Sequence, residues 1–359
     1  MNLTEYMSDA IQKIVKNAMK ASLQNPRESM YLIKYMHSQK AAVEKRTLSE
    51  QNGKHIPPFL IASITSSCNL FCKGCYARAN HSCGEHSQGT ELTDKDWKKI
   101  FTESAELGIS FILLAGGEPL MRKDVIEKAA AFPEIIFPIF TNGTMIDATW
   151  IALFNQYRNL VPVLSIEGNE SQTDGRRGEG IYQTLVGAMN QMNQSGILYG
   201  SSVTVTTDNI NTVTSDDFVG ALYQKGCKFI IFVEYVPVTD STSALAPGDR
   251  ERKILEDRQS TLRQNFQNMI FISFPGDEKH TGGCLAAGRG FFHINANGGA
   301  EPCPFSPYSD TSLKDGSVIQ ALQSPLFRRL SENGLLSGEH DGGCVLFQKE
   351  KQVQQLLCE

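Results

Sequence analysis

The chain has 359 residues, of which 41% are apolar and 20% charged, and its formal net charge is −5. This length and composition are those of a globular protein with one large domain and a smaller one. The small excess of acidic residues argues against a nucleic-acid-binding protein, because such proteins carry clustered positive charge. The absence of an apolar run of about 18 residues predicts that no segment spans a membrane. The first residues lack a secretory signal pattern, so we expect a cytoplasmic protein, whose nine cysteines are metal ligands rather than disulfides.

The N-terminal part of the chain reads as helical. Residues 4–23 carry apolar side chains at helical spacing, and Pro26 ends this run. A second helix is expected from about Glu28 to Lys45, followed by a polar linker at residues 49–54. Residues 1–55 are therefore predicted to form an N-terminal helical segment that carries no chemical motif.

From residue 58, strand and helix patterns alternate. Strands are predicted at Phe59–Thr65, Phe111–Ala115, Ile135–Phe140, Val161–Ile166, Gly200–Thr206 and Phe229–Tyr235. Helices are predicted between them at Asp94–Leu107, Asp124–Phe132, Ala148–Asn155, Gly180–Ser195 and Thr214–Lys225. Six such units in series predict an α/β fold with a parallel sheet and right-handed crossovers. They suit an open, partial (β/α)6 TIM-like barrel over residues 56–240, in which ligands bind at the C-terminal ends of the strands.

Three cysteines follow the first predicted strand at CxxxCxxC spacing: Cys68, Cys72 and Cys75. Three thiolates in one loop can bind three irons of a four-iron cluster, which normally takes four cysteines. The fourth iron is then open to a small molecule. Structural zinc is the alternative, although only Cys72 and Cys75 form a CxxC and no second one exists in the chain. A thioredoxin-like pair would not need Cys68.

Further motifs fall at the ends of the next strands. They are Gly116-Gly117-Glu118-Pro119 after the second strand, Thr141-Asn142-Gly143 after the third, and Ser165-Ile166-Glu167-Gly168 after the fourth. Glycines at a strand end let a ligand touch the backbone, and Glu118 with nearby carbonyls can receive an ammonium group. Asn142-Gly143 taken alone is a turn.

With its CxxxCxxC loop and downstream GGEP segment, the chain resembles the radical S-adenosylmethionine (radical SAM) superfamily. The resemblance implies a [4Fe–4S] cluster on the three cysteines and S-adenosylmethionine beside it, with its amino group at Gly116-Gly117-Glu118-Pro119 and Asn142 nearby. Ser165-x-Glu167-Gly168 is similar to the Ser-x-Asp-Gly element of the superfamily, so Ser165 is expected to contact the ribose or the carboxylate. The superfamily usually has an aromatic residue before the third cysteine. Here that residue is Gly74, and Tyr76 is expected to cover the cluster instead.

The segment Asp174-Gly175-Arg176-Arg177-Gly178 resembles a D-x-x-R-G element of the same superfamily. Arg177 is then expected to bind the methionine carboxylate, because a guanidinium matches a carboxylate with two parallel donors. Arg176 is the alternative for this role, and a solvated loop charge is the alternative for Arg177.

A second group of cysteines lies in the C-terminal part of the chain. Cys284 and Cys303 flank a predicted strand, Phe291–Asn295, and a hairpin turn at residues 297–299. This pattern resembles the auxiliary-cluster extension called SPASM, or its shorter form, twitch. The resemblance implies that residues 241–359 form a small α+β domain with one auxiliary iron–sulfur cluster, a [4Fe–4S] cluster. Its ligands would be Cys284, Cys303 and Cys344, with Cys358 or a non-cysteine group as the fourth, or with an open iron. Zinc would accept the four cysteines equally well on spacing alone.

The resemblance also implies the reaction. A radical SAM enzyme reductively cleaves S-adenosylmethionine to a 5′-deoxyadenosyl radical, which abstracts hydrogen from its substrate. Here the auxiliary cluster would assist an oxidation or a cross-link in a peptide, a protein or a small molecule, with electrons from a flavodoxin or ferredoxin-type donor in an anaerobic host. Glu234 and Tyr235, at the end of the sixth strand, are candidate catalytic residues, and Glu234 can instead serve a structural hydrogen bond or ion pair. The alternative function is an iron–sulfur electron carrier or scaffold without radical chemistry.

Overall fold

The computed structural model describes residues 3–21, 25–84, 89–237, 240–274, 281–337 and 343–358. Nine strands in these residues belong to one sheet. They are β1 (Phe59–Thr65), β2 (Phe111–Gly116), β3 (Phe137–Thr141), β4 (Leu160–Ser165), β5 (Gly200–Val205), β6 (Phe229–Glu234), β7 (Ile270–Phe274), β8 (His293–Ile294) and β9 (Ala300–Glu301).

The order of the strands in the sheet is β7-β6-β5-β4-β3-β2-β1-β8-β9. The first seven strands are parallel neighbours in chain order. β8 lies parallel to β1, and β9 pairs with β8 as an antiparallel hairpin. The described strands form an open series with β7 and β9 at its edges. The predicted α/β class with an open, parallel partial barrel is therefore confirmed.

The helices lie between and around these strands. They are α1 (Leu3–Ala21), α2 (Pro26–Gln51), α3 (Tyr76–Ala79), α4 (Asp94–Leu107), α5 (Lys123–Ala129), α6 (Ala148–Gln156), α7 (Glu170–Arg177), α8 (Ile181–Gln194), α9 (Ile210–Val213), α10 (Asp216–Gln224), α11 (Asp249–Asn265), α12 (Val318–Leu322), α13 (Pro325–Glu332), α14 (Val345–Gln348) and α15 (Glu350–Cys358). Two short 3-10 helices cover Pro119–Met121 and Asp240–Leu245.

Three local features differ from the sequence-based expectation. α2 begins at Pro26 because proline is favoured in a first helical turn and the Asn25 side chain caps the helix. The same helix runs to Gln51, so half of the predicted linker at residues 49–54 is helical. In addition, α11 and β7 continue the parallel sheet beyond residue 240. The division of the chain at residues 55 and 240 stays a prediction.

The two N-terminal helices cover the edge of the sheet where the strands begin. Apolar side chains of α1 and α2 form one buried cluster with residues at the starts of β3, β4 and β7: Ile11, Val15, Ala18, Leu32, Tyr35, Ile136, Val161 and Ile270. The Tyr35 hydroxyl donates to the Ser110 carbonyl, just before β2, at 2.9 Å. The opposite edge, where the strands end, is thereby left for the predicted site.

None of the helices in the described parts of the chain is both long enough and apolar enough to cross a bilayer.

Candidate active site

The cysteine loop leaves the end of β1 and contacts two glycines at the end of β2, Gly116 and Gly117. The Gly117 amide donates to the Thr65 carbonyl and the Glu118 amide to the Ser67 carbonyl, both at 2.8 Å. A Cβ on Gly117 would lie 2.0 Å from the Ser67 carbonyl oxygen, and one on Gly116 would lie 2.3 Å from that of Thr65. The two glycines are therefore required by the close approach of the cysteine loop.

Glu118 is buried at the centre of this edge. Its Oε1 accepts hydrogen bonds from Thr141 Oγ1 at 2.6 Å and from the Leu120 amide at 3.1 Å. Its Oε2 accepts from the Asn142 amide at 2.8 Å. Burial raises the pKa of Glu118 to about 7, although these hydrogen bonds oppose the shift. The carboxyl can thus exchange a proton near neutral pH.

Asn142 fastens the cysteine loop to the end of β3. Its Nδ2 donates to Asn69 Oδ1 at 2.8 Å, and Asn69 Nδ2 in turn donates to Thr144 Oγ1 at 2.8 Å. Asn69 lies directly after Cys68, so these bonds fix the first cysteine relative to the sheet. The predicted contact of Asn142 with a cofactor stays a prediction.

α7 holds the loop from the other side. The Lys73 amide donates to the Arg176 carbonyl at 2.9 Å, and Arg176 Nε donates to the Lys73 carbonyl at 3.1 Å. Arg177 Nη1 lies 4.0 Å from Cys72 Sγ. Arg176 and Arg177 are the last two residues of α7. The end of this helix therefore places both side chains at the cysteine loop.

Glu167 forms ion pairs with the guanidinium groups of Arg176 and Arg177. Its Oε1 accepts hydrogen bonds from Arg177 Nε at 2.9 Å and from Arg176 Nη1, while its buried Oε2 has no hydrogen-bond partner among the described residues. Burial of Arg177 disfavours its charge, but the Glu167 carboxylate together with the negative charges of Cys72 and Cys75 outweighs this and raises the pKa of Arg177. Arg177 is thus charged, lies beside Cys72, and forms an ion pair with the Glu167 carboxylate.

A cavity of about 520 Å³ opens at the C-terminal ends of the strands. Its mouth is bordered by Cys68, Cys72, Cys75, Gly116, Gly117, Glu118, Asn142, Ser165, Arg176, Arg177, Glu234 and Tyr235. Deeper, its walls are apolar side chains from β1 to β7 and α1, among them Phe59, Ile61, Leu113, Phe140, Ile231 and Ile11. The predicted cofactor residues Pro119 and Glu167 do not border it. The other predicted cofactor residues and the three cysteines share this one cavity.

The three thiols fit a cluster that leaves one iron free. Cys72 lies close enough to Cys68 and Cys75 for the charges of their thiolates to raise its pKa further, beyond the larger effect of burial. Within the described residues, no three Cys, His, Asp or Glu side chains could hold a single metal ion. In a cubane cluster each thiolate binds its own iron, so its ligands need not meet at one ion.

Tyr235 fills the space above Gly74. Gly74 has φ +66°, and a Cβ there would lie 2.7 Å from the Tyr235 hydroxyl oxygen. The ring therefore occupies the place of a side chain on the residue before the third cysteine. The hydroxyl is buried and has no hydrogen-bond partner among the described residues. Sequence reasoning singled out Tyr235 but missed its pairing with Gly74, because no local pattern links residues so far apart in the chain.

The C-terminal cysteines meet on three separate segments. The thiols of Cys303 and Cys344 are hydrogen-bonded, which raises the pKa of Cys303 and lowers that of Cys344. Cys284 lies near enough for its charge to raise the pKa of Cys303 as well. Cys358 is exposed in the last turn of α15. The assignment of these four cysteines to an auxiliary cluster stays a prediction.

Direct contacts join the two cysteine regions. Tyr76, next to Cys75, packs its ring on Phe305 with centroids 5.0 Å apart, and Asn80 Nδ2 donates to the Pro304 carbonyl at 3.2 Å. On the other side, Glu234 Oε2 accepts from the Gly343 amide at 3.1 Å and from Arg252 Nε at 3.0 Å. Tyr76 thus lies between the cysteine regions, and the carboxylate of Glu234 is in an ion pair. Its predicted role as a base stays a prediction.

Two further features escaped the sequence analysis. The Cys83 thiol is hydrogen-bonded to Cys68, and a buried network links β1 to the β8–β9 hairpin. In this network Ser63 Oγ lies 2.7 Å from His293 Nε2, and His293 Nδ1 lies 2.7 Å from Glu301 Oε2. Residues so distant in sequence carry no shared local signal, although the alternation His293-x-Asn295 on a predicted strand marks one polar face.

Comparisons with known proteins agree with this geometry. The family model described as "Radical SAM superfamily" matches residues 62–222. A curated relative from Methanosarcina barkeri, "Fe-coproporphyrin III synthase", is 30% identical over 166 residues, which are 45% of this chain and 41% of that protein. "Mycofactocin maturase MftC" from Mycolicibacterium smegmatis is 26% identical over 309 residues, which are 79% of this chain and 74% of that protein.

Among solved structures, Streptococcus suis SuiB bound to S-adenosylmethionine matches with a TM-score of 0.69 at 18% identity, over 86% of this chain and 78% of that chain. SuiB bound to its precursor peptide SuiA matches with a TM-score of 0.66 at 17% identity, over 87% and 77%. At these identities the likeness shows the fold alone.

Proposed function

The chain belongs to the radical SAM superfamily, and on that premise we propose that it modifies a peptide substrate with the help of an auxiliary iron–sulfur cluster. Its membership as a radical SAM enzyme, and with it the use of S-adenosylmethionine and a [4Fe–4S] cluster, are confirmed by the family match and the curated relatives. The alternative of an electron carrier or scaffold is not favoured, since the relatives are named as a maturase and a synthase.

The observation that carries the proposal is the single cavity bordered by the cysteine loop, Gly116-Gly117-Glu118 and Arg177. When bound there, the cluster and S-adenosylmethionine supply a 5′-deoxyadenosyl radical that removes hydrogen from a substrate C–H bond. Cys68, Cys72 and Cys75 would hold the cluster, and Glu118 would receive the amino group of the cofactor. The positive charge of Arg177, beside Cys72, would face the cofactor carboxylate.

The interior below this mouth suits an uncharged group. Its walls are apolar. Of the charged side chains at the rim, Glu118 and Arg177 are assigned to the cofactor, while Arg176 pairs with Glu167 and Glu234 with Arg252. A charged substrate group would therefore enter without a free counter-ion, at a cost. Apolar walls offer water no hydrogen-bond partner, and this would help to protect a radical from quenching.

A peptide substrate is supported by two comparisons. The relative MftC is named a maturase, and SuiB, whose fold this chain shares, has been solved with a precursor peptide. Cys284, Cys303 and Cys344 would hold the auxiliary cluster beside the cavity, where Tyr76 and Glu234 connect it to the barrel. That position suits the removal of an electron from a substrate radical, as an oxidation or cross-link requires.

The proposal is tested with anaerobically reconstituted protein, dithionite and S-adenosylmethionine. We expect 5′-deoxyadenosine and methionine in equal amounts, and a mass change in a peptide encoded beside this gene. Cys72→Ser is the matched control, because it changes one sulfur to oxygen at nearly constant volume. Absence of 5′-deoxyadenosine from protein that has a complete iron content would contradict radical chemistry, and its formation without a change in any peptide would contradict the substrate class.

A tetrapyrrole is the second candidate substrate. The 30% identical relative is named for a porphyrin product, and the apolar interior suits such a ring system. A second relative, named "AdoMet-dependent heme synthase", is 23% identical and is covered over 87% of its length, against 26% and 74% for MftC. The peptide is preferred because SuiB, whose fold this chain shares, has been solved with a precursor peptide. Adding iron coproporphyrin to the same assay separates the two: binding seen as a shift of its Soret band, with 5′-deoxyadenosine formed in its presence alone, would favour the tetrapyrrole.

A further inference from the structure

The tyrosine that follows β6 carries a buried hydroxyl without a hydrogen-bond partner. Tyr235 is 6% exposed, and its hydroxyl bonds to no atom of the residues that the structure describes. Such a group is uncommon in a native protein, because burial removes its hydrogen bonds to water and nothing replaces them. The hydroxyl is therefore available to a group that binds to the protein.

This hydroxyl lies against the cysteine loop. Gly74 directly precedes Cys75 and has φ +66°. A Cβ added to Gly74 would lie 2.7 Å from the Tyr235 hydroxyl oxygen and 3.1 Å from the nearest ring carbon. The tip of the tyrosine, rather than the face of its ring, is thus the part that approaches the loop. Tyr235, Cys72 and Cys75 also border the same cavity.

The position of Tyr235 is set by bonds that do not involve its hydroxyl. The Tyr235 amide donates to the Val205 carbonyl at the end of β5, at 2.9 Å. The preceding residue, Glu234, accepts from the Gly343 amide at 3.1 Å and from Arg252 Nε at 3.0 Å. The end of β6 is therefore fixed to its neighbours, and the hydroxyl is not needed to hold the ring in place.

We propose that the Tyr235 hydroxyl donates a hydrogen bond to a sulfur atom of the cluster that Cys68, Cys72 and Cys75 hold, and thereby raises the reduction potential of this cluster. The inference rests on the proposed function, which assigns these three cysteines as ligands. A deprotonated sulfur can only accept a hydrogen bond, whereas a phenol can donate one. The proton stays on the phenol throughout, and no bond is broken.

The direction of the effect follows from charge. Reduction adds one electron to the cluster, so its sulfur atoms become more negative and accept a stronger hydrogen bond. A donor therefore stabilises the reduced cluster more than the oxidised one, and hydrogen bonds to sulfur are among the features that set the potentials of such clusters. The cofactor is the competing acceptor. In the proposed site its charged groups face Glu118 and Arg177, whereas the hydroxyl lies against the residue before Cys75.

The test is a redox titration of the reconstituted wild type, Tyr235→Phe and Tyr199→Phe. Tyr235→Phe removes one oxygen atom and keeps the ring. Tyr199→Phe is the matched control, because Tyr199 is also buried, but its hydroxyl donates to the Lys225 carbonyl at 2.7 Å. The midpoint potential is measured by EPR without S-adenosylmethionine. The signal of the cluster in the cysteine loop is then identified by its change when S-adenosylmethionine is added.

We expect Tyr235→Phe to lower the ratio of reduced to oxidised cluster about fivefold at a given potential, which is about 40 mV at about 59 mV per tenfold change. Tyr199→Phe should leave the potential unchanged. The Kd for S-adenosylmethionine should stay within about twofold of the wild type in both variants. Without the cluster, Tyr235→Phe should melt no lower than the wild type, since the lost hydroxyl has no partner, while Tyr199→Phe should melt lower.

Gly74→Ala gives an independent check. Its Cβ meets the hydroxyl oxygen, so the tyrosine must withdraw from the loop and the potential should fall in this variant too. In the Gly74→Ala background, Tyr235→Phe should change the potential by less than half as much as it does in the wild type, because one interaction cannot be lost twice. If Tyr235→Phe takes up no cluster, Gly74→Ala decides alone, and an unchanged potential there overturns the inference.

Three further results would overturn it. One is the same potential in Tyr235→Phe and in the wild type. Another is a weaker affinity for S-adenosylmethionine without a change in potential, which would assign the hydroxyl to the cofactor. The third is full additivity of the Gly74 and Tyr235 substitutions. If the wild type forms no 5′-deoxyadenosine, the proposed function fails, while the titration still decides whether the hydroxyl bonds to the cluster.

Discussion

The two cysteine regions of this protein are built in opposite ways. Cys68, Cys72 and Cys75 share one loop of eight residues, and all three border a cavity. Cys284, Cys303 and Cys344 come from three distant segments, and Cys303 is buried and hydrogen-bonded to Cys344. The first region is held by contacts with its surroundings, through Gly117, Asn142 and Arg176. The second is held by contacts of the three segments with one another, such as the contact of Cys303 with Cys344.

From this difference we infer that the first region serves a small molecule and the second serves electron transfer. A loop supported from outside can leave one face of its cluster free, and the cavity supplies the space beside it. A centre on the C-terminal cysteines would exchange electrons with the barrel through contacts such as Tyr76 with Phe305. The following predictions test whether the two regions divide the work in this way.

The largest effect is expected from Cys72→Ala. Loss of one of three thiolates from the open loop should abolish formation of 5′-deoxyadenosine, because the radical cannot be made without the cluster. Iron content, the visible absorption of the cluster and 5′-deoxyadenosine are measured together. Cys227→Ala is the control, since Cys227 is buried just before β6 and forms a hydrogen bond with the Ser201 hydroxyl. Activity retained by the Cys72 variant would remove the loop from the reaction.

Cys303→Ala should separate radical formation from product formation. We expect the ratio of modified substrate to 5′-deoxyadenosine to fall by about tenfold or more, because the substrate radical loses its electron acceptor. Formation of 5′-deoxyadenosine should fall much less than the product. Both compounds are quantified from the same reaction by mass spectrometry. An unchanged ratio would show that the C-terminal cysteines are structural, as a zinc site would be.

The open region was the more predictable of the two. The CxxxCxxC spacing, the GGEP segment and the strand ends are local patterns, and strand periodicity brings their positions to one edge of a parallel sheet. Predicted and observed strands agree closely, for example at β1 and β6. α11 and β7 were not predicted, because α11 is rich in charged residues with few apolar side chains such as Leu255 and Leu262, and residues beyond 240 were assigned to the C-terminal domain.

Contacts between distant residues could not be predicted. The pairing of Tyr235 with Gly74, the thiol contact of Cys83 with Cys68 and the Ser63–His293–Glu301 network depend on how the elements pack. Charged side chains were harder still. From the sequence, Arg177 was expected on a cofactor carboxylate and Glu167 in a separate cofactor-binding motif, yet their mutual ion pair becomes visible only when α7 is known to be a helix.

A smaller effect is expected from Gly117→Ala. The added Cβ would lie 2.0 Å from the Ser67 carbonyl oxygen, so the cysteine loop must shift, at a cost of about 1–3 kcal/mol. We expect a lower affinity for S-adenosylmethionine and a lower melting temperature. Gly187→Ala is the control, because Gly187 lies in α8 with nothing within 4 Å of the added atom and alanine favours helix. Equal behaviour of the two variants would mean that the loop tolerates displacement.

The pH dependence of cofactor binding probes the open region most finely. Burial raises the pKa of Glu118 to about 7, and an amino group that donates to the carboxylate would lower this pKa on binding. Binding then favours the ionised form, so affinity should rise with pH up to about 7 and level off above it. Between pH 6 and pH 8 we expect the affinity to increase about tenfold from this one proton.

The control is Glu118→Gln, whose side chain cannot ionise, so the part of the pH dependence that this variant loses belongs to Glu118. The amino group of the cofactor titrates identically in both proteins and cancels in the comparison. If wild type and variant show the same slope, the amino group binds elsewhere, and Glu118 serves only to join Thr141 and Asn142 to the cysteine loop.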